Sequence, residues 1–187
     1  MDLKRIFNKK NISNIVFVIA IAVLIYPPSR EWAMRQIAFA PSIEKGEDIE
    51  RIEDYNWQLN GLNTESINFN EFENNVVFVN FWATWCPPCR AELPMIQEFY
   101  NDYKDKVKFV FVTTENWNTV ENFFTEKGYN FPVYNSQSLP PQNFTETNSI
   151  PASYLMDKNG NILIKKVGAA NWNSNRVKNL LDKLISE

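Results

Sequence analysis

The sequence predicts an α/β domain around a central, partly parallel sheet, and three observations carry that expectation. Two near-continuous apolar runs, "NNVVFVNFW" and "KVKFVFVTT", have the Val- and Phe-rich composition of strands buried on both faces. Each leads into an amphipathic pattern, "CRAELPMIQEFYNDY" and "NTVENFFTEKGY", and a strand–helix–strand crossover argues for parallel pairing. A later stretch, "PASYLMDKNGNILIKKVG", reads as two strands turned back on each other at Asp157 to Gly160.

Composition bounds the rest. The chain has 187 residues, 44% hydrophobic and 22% charged, enough for one globular domain with an appendage. A net charge of −3 and the absence of a long like-charge block give no basic field for nucleic acid, which is not an expected partner. With no histidine and two cysteines, one copy cannot assemble a four-ligand zinc site from sulfur and imidazole, so no metal is expected.

In chain order, "MDLKRIFNKKNIS" carries Lys4, Arg5, Lys9 and Lys10 and leads into "IVFVIAIAVLIY", Ile15 to Tyr26, with no charge or helix breaker. From Ile12 to Tyr26 a helix would span roughly 22 Å, short of the ~30 Å hydrocarbon core and also compatible with a signal-peptide core. No small-residue cleavage site follows directly, because "PPSRE" comes next. The expectation is therefore an uncleaved transmembrane anchor over 12–26 after a cytoplasmic basic segment, 1–11, with the remainder extracytoplasmic by the positive-inside rule. Residues 27–54 would be juxtamembrane. There "SREWAMRQIAF" suits either a helix at the membrane surface or an ordinary first helix of the domain, and "EKGEDIERIED" reads as an exposed linker.

The domain proper is expected over 55–187. "YNWQLNGLNTESINF" reads as a hairpin turning at Gly61, and "FPVYN" as a strand before a short helix in "PQNFTETN". Gly128 would end the helix that begins near Asn118. "NSNRVKNLLDKLISE" closes the chain as a helix with Val177, Leu180, Leu181, Leu184 and Ile185 on one face.

Both cysteines of the chain sit in "FWATWCPPCRAELP", between a strand and a helix. The spacing alone leaves four readings open: a structural disulfide, part of a metal site, a redox-active dithiol, or two inert buried residues. Pro87 and Pro88 fit only the first turn of a helix, which puts Cys86 at the helix N-terminus, where free N–H groups and the macrodipole stabilise a thiolate. Such placement lowers a thiol pKa from ~8.5 to roughly 3.5–7.5. Cys89, nearly one turn on, could then resolve a mixed disulfide formed at Cys86. A purely structural bridge is the weaker reading, since closing so small a loop removes little chain entropy.

"VNFWATWCPPCRAELP", together with "SIPASYLMDKNG", resembles the thioredoxin superfamily, and within it the membrane-anchored TlpA/ResA-like thiol:disulfide reductases. The resemblance runs from about Trp57 to the C-terminus. It implies a thioredoxin-like fold, a central mixed sheet flanked by helices with an N-terminal β-hairpin and a βα insertion. It implies catalysis by Cys86 and Cys89 as a redox-active disulfide, and a cis-proline at Pro151 that leaves the backbone at Ile150 free for an extended substrate. Trp85 would form an exposed docking rim, Trp82 belong to the core, and Arg90 be solvated. Thioredoxins place a buried aspartate where this chain has Asn80. The TlpA/ResA-like group instead uses a glutamate at the position of Glu92, which, buried, would have a raised pKa and could move the proton of Cys89. The residues alone also allow Glu92 to be a carboxylate answering the helix dipole.

These expectations amount to an extracytoplasmic oxidoreductase that exchanges disulfides with protein partners, in the reducing direction. It needs no cofactor and is recharged by a membrane thiol-reducing donor, with cytochrome c maturation as the family-level pathway. The competing readings are a disulfide-forming oxidase on the same fold and a thioredoxin-fold copper-assembly chaperone, which would use a histidine that this chain lacks. A peroxidase is a further one, and it would need a different cysteine motif.

Overall fold

The structure, a computed structural model, describes residues 9–44 and 49–186. Seven strands form one mixed sheet: β1 (Gln58–Gly61), β2 (Ile67–Asn68), β3 (Val77–Phe81), β4 (Lys108–Val112), β5 (Val133–Ser136), β6 (Ala152–Met156) and β7 (Ile162–Val167), in the order β2-β1-β5-β4-β3-β6-β7. Pairing is parallel for β3 with β4 and β4 with β5, and antiparallel elsewhere. Central β3 alternates its large side chains, Phe78 toward one core cluster and Val77 and Val79 toward the other, so both faces are buried as its apolar run requires.

Helices α3 (Pro87–Tyr103), α4 (Trp117–Lys127) and α5 (Asn175–Ser186) all contribute to the cluster containing Phe78. α3 continues through Pro94. α4 ends where expected, at Gly128 in the left-handed conformation, φ 71°. On α5, Val177, Leu181 and Leu184 are buried, while Leu180 and Ile185 pack at the edge of the cluster. The opposite face carries two 3₁₀ turns, Phe69–Phe72 and Gln142–Phe144, and an aromatic group in which Trp57, Phe69, Phe144 and Tyr154 meet.

The hairpin of β6 and β7 is built by Asp157, whose Oδ1 accepts from the backbone N–H of Asn159 (2.8 Å) and Asn161 (2.9 Å). Gly160 sits there at φ 81°, and a Cβ on it would come within 2.3 Å of the Tyr55 hydroxyl.

The N-terminal part departs from expectation at the segment read as a linker. Helix α1 (Lys9–Ile25) has 17 residues, and among the described residues no helix is long and apolar enough to cross a membrane. Its described apolar side chains, Phe17 and Ile19 among them, are exposed. Of the segment read as an exposed linker, residues 45–48 lie outside the described residues, and the described residues on either side of them run along the open edge of β7 instead. Glu44 N–H donates to Leu163 O (2.8 Å), Ile162 N–H to Glu50 O (2.8 Å), and Ile52 N–H to Gly160 O (2.9 Å). Ile52 is buried in the second cluster. Unpaired edge groups of β7 favour such cover, and one isoleucine every few residues is enough to seat it without a long apolar run. Helix α2 (Pro27–Gln36) packs on α3, with Glu31 Oε1 2.7 Å from Arg90 Nε. Arg90, expected in solvent, is therefore held between that carboxylate and the Phe123 ring, 5.6 Å from its centroid.

Candidate active site

The first turn of α3 explains the state of Cys86. Cys86 is the N-cap residue, with φ −84° and ψ 109°, and Pro87 and Pro88 take the next two positions. Neither proline has an N–H, so Cys89 is the first residue of the helix with a donor to offer, and its N–H points at Cys86 Sγ, 3.2 Å away. Upstream, Cys86 N–H donates to Ala83 O (3.2 Å), closing the turn that leads out of β3. The sequence thus places one sulfur where a negative charge would be stabilised.

Cys86 and Cys89 are joined as a disulfide, with Cα atoms 5.2 Å apart, and both residues are buried. Beside them Trp85 is 69% exposed and Trp82 only 2%. The Ile150–Pro151 peptide is cis, and Ile150 O lies 3.8 Å from Cys86 Sγ. The residues marked out in the sequence are thus brought together from α3 and from the turn entering β6.

Glu92 lies one turn beyond Cys89 on the same helix and is fully buried. Its Oε1 accepts from the Asn80 amide (3.0 Å) and its Oε2 from the Ala170 N–H (3.1 Å). Burial pushes its pKa up to about 8. The Ala170 and Asn80 bonds, the Trp172 indole N–H and the charge of Lys166 offset only part of this. The indole acts from a geometry too poor for a hydrogen bond. At neutral pH Glu92 therefore holds its proton, unlike an exposed carboxylate at a helix start.

Asn80 is the hinge of this buried set. Its amide also donates to Ser153 Oγ (2.8 Å), its direct partner in the β3–β6 register, while its Oδ1 has no partner. Ser153, Ala170 and Trp172 were not singled out from the sequence. The only trace of Ser153 is a hydroxyl inside the strand run "PASYLM", and nothing local ties residues 170 and 172 to residue 92. Among the described residues no group of three or more His, Cys, Asp or Glu is arranged to hold a metal ion.

Comparison with known proteins bears on this arrangement. The thiol-disulfide oxidoreductase ResA of Halalkalibacterium halodurans is 34% identical over 110 residues, 58% of this chain and 62% of that protein. ResA of Bacillus subtilis is 30% identical over 124 residues, 65% of this chain and 66% of that protein. These matches span less than two thirds of the relatives' length. Among solved structures, a putative thiol:disulfide interchange protein DsbE from Chlorobium tepidum superposes with a TM-score of 0.60 at 21% identity, covering 74% of this chain and 99% of that one. StoA from Bacillus subtilis gives 0.52 at 24% identity, covering 77% and 100%. At such identities the structural likeness speaks to the fold, which is thioredoxin-like. The Redoxin family model matches residues 40–184, from the strap along β7 through the dithiol and cis-proline into the last helix, and the chain belongs to that family.

Proposed function

We propose that the protein is a thiol:disulfide oxidoreductase that reduces disulfides of protein substrates through Cys86 and Cys89. The observation that carries this reading is the sulfur of Cys86 at the N-cap of α3, accepting the first N–H that the helix has to offer. In the reduced form the Cys86 thiolate attacks one sulfur of a substrate disulfide; that S–S bond breaks, a mixed disulfide forms, and the other substrate sulfur leaves as a thiolate. Cys89, deprotonated, then attacks Cys86 Sγ, closing the bond seen in the structure and releasing the second substrate thiol. Two electrons pass from the dithiol to the substrate, and a second dithiol must return them. Glu92 is suited to take the proton of Cys89 through its ionised fraction, which is small at pH 7 and grows toward pH 8, and a group with a pKa of about 8 gives the proton up again readily. Trp85, Ile150 and Pro151 surround Cys86 and offer the surface on which an extended chain would lie.

The reading includes a site of action outside the cytoplasm, at the membrane. It is supported by Lys4 and Arg5 before an apolar helix, and by the exposed side chains of α1. At about 25 Å, α1 would need the residues before it or a locally thinned bilayer to span. A membrane thiol-reducing donor and a place in cytochrome c maturation belong to the same proposal, on the strength of likeness to ResA.

The test is a Cys89→Ala variant of the full chain expressed at native level. It should accumulate mixed disulfides through Cys86, and these should include exported proteins. A variant that forms no adduct while its Cys86 thiol is free would overturn the reading. A reduction potential near ~−270 mV would fit a reductase, and one near ~−120 mV would reverse the direction in favour of disulfide formation.

A further inference from the structure

The loop that presents Trp85 is gripped from outside α3. Thr84 donates its backbone N–H to Glu115 Oε2 (2.6 Å) and its hydroxyl to Glu115 Oε1 (2.6 Å), so one carboxylate engages both donors of the residue before Trp85. Short bonds to an ionised acceptor are the strong class of hydrogen bond. Glu115 belongs to the loop between β4 and α4, yet it does not cap α4, a task performed by Asn116 through the Thr119 N–H (3.0 Å). Its own position is fixed in turn. Glu115 N–H donates to Thr113 Oγ1 (3.3 Å), and the Asn135 amide of β5 donates to the backbone oxygens of Thr113 (2.6 Å) and Glu115 (3.1 Å). A chain of contacts therefore runs from the sheet, through Asn135 and Glu115, to Thr84.

We infer that Glu115 is a positioning residue for protein substrates: by clamping Thr84 it holds Trp85 in its outward pose beside Cys86. The division of labour follows from the two sides of the loop. The thiolate site at Cys86 is made by α3 itself, through the Cys89 N–H, and does not depend on Glu115. Trp85, 69% exposed, has little packing of its own to fix it and depends on the backbone at Thr84. Loosening the clamp should therefore spare thiol chemistry and weaken docking of a large partner.

The inference rests on the oxidoreductase reading, and the experiment separates the two. Glu115→Gln, Thr84→Val and Thr84→Ser variants of the full chain are assayed with insulin as protein disulfide and with dithiobis(nitrobenzoate) as small disulfide, and exchange of the Thr84 amide is followed in each. In Glu115→Gln the Thr84 amide should exchange about tenfold faster and KM for insulin should rise about fivefold, the size expected for one lost hydrogen bond to a charged group. The rate with the small disulfide should stay within about twofold of wild type, as only the docking contact is lost. Thr84→Val, which removes the hydroxyl donor and keeps the charge, should show the same split to a smaller degree, and Thr84→Ser should behave as wild type. If Glu115→Gln does not fold, the Thr84→Val split decides. Faster amide exchange with unchanged KM for insulin, or an equal loss on both substrates, would overturn the inference. Wild-type protein inactive on both substrates would overturn the oxidoreductase reading, and this one with it.

Discussion

Cys86 and Glu92 lie within two turns of one helix, yet different parts of the chain make their surroundings. The sulfur of Cys86 receives its hydrogen bond from a residue three positions on. The carboxyl of Glu92 receives its bonds from Asn80, twelve positions back, and from Ala170, 78 positions ahead. The setting of Cys86 is thus a property of a helix start, while the raised pKa of Glu92 is a property of the folded sheet and the loop after β7.

That difference decides how much of the site could be read in advance. Two prolines after a cysteine specify a first turn, so the position of Cys86 follows from "CPPC" by local rules. Glu92 was marked out by resemblance, and its residues alone left a simple dipole role open. What excludes that role is its complete burial, which depends on strand register and on where residue 170 falls. The same division holds for the fold. β3, α3, α4 and the β6–β7 hairpin show their periodicity or turn residues openly. The cover over β7 does not, because it is held by backbone hydrogen bonds that leave no side-chain pattern. Thr84 and Glu115 were equally silent, being two ordinary polar residues until the fold sets them 2.6 Å apart.

The largest expected effect tests the local half of the comparison. Cys86→Ser should abolish insulin reduction, while Cys89→Ser should still form mixed disulfides and fail to release them. Equal loss of adducts in both variants, seen on non-reducing gels after alkylation, would show that the helix start does not single out Cys86.

Glu92→Gln tests the tertiary half. Turnover with a protein disulfide should fall about tenfold or more near pH 8, where a large share of Glu92 is ionised and able to accept the Cys89 proton. Cys86 should keep its alkylation profile where it titrates below pH 8, because Glu92 is uncharged there. Stability supplies an independent reading. A carboxyl whose pKa rises from 4.5 unfolded to about 8 folded binds more protons in the native state between those values. Stability therefore falls as pH rises through that window, and is unaffected by this group below it. Oxidised Glu92→Gln should lose this slope and gain on wild type by a few kcal/mol between pH 4.5 and 8 in denaturant titrations. Parallel stability curves would mean that Glu92 is ionised and solvated in the native protein.

The smallest expected effect concerns the contact between Glu31 and Arg90, which reaches from α2 to the dithiol end of α3. It would break the comparison if, through it, a distant segment set the surroundings of Cys86. The geometry argues against a large influence. Arg90 Nε lies 2.7 Å from Glu31 Oε1, but its N–H is not aimed for a hydrogen bond, and the two side chains remain 29% and 16% exposed. The pair is held by charge in a partly wet setting, where such contacts contribute ~0–1 kcal/mol and less at high salt. Glu31→Gln should therefore lower stability by no more than about 1 kcal/mol, a difference that fades in 1 M salt. Arg90→Ala should cost more, because it also removes the stem and guanidinium packed over Phe123. Neither Glu31→Gln nor added salt should move the pH profile of Cys86 alkylation. A clear shift in that profile would mean that α2, and whatever lies before it, tunes the nucleophile, and that the setting of Cys86 is tertiary after all.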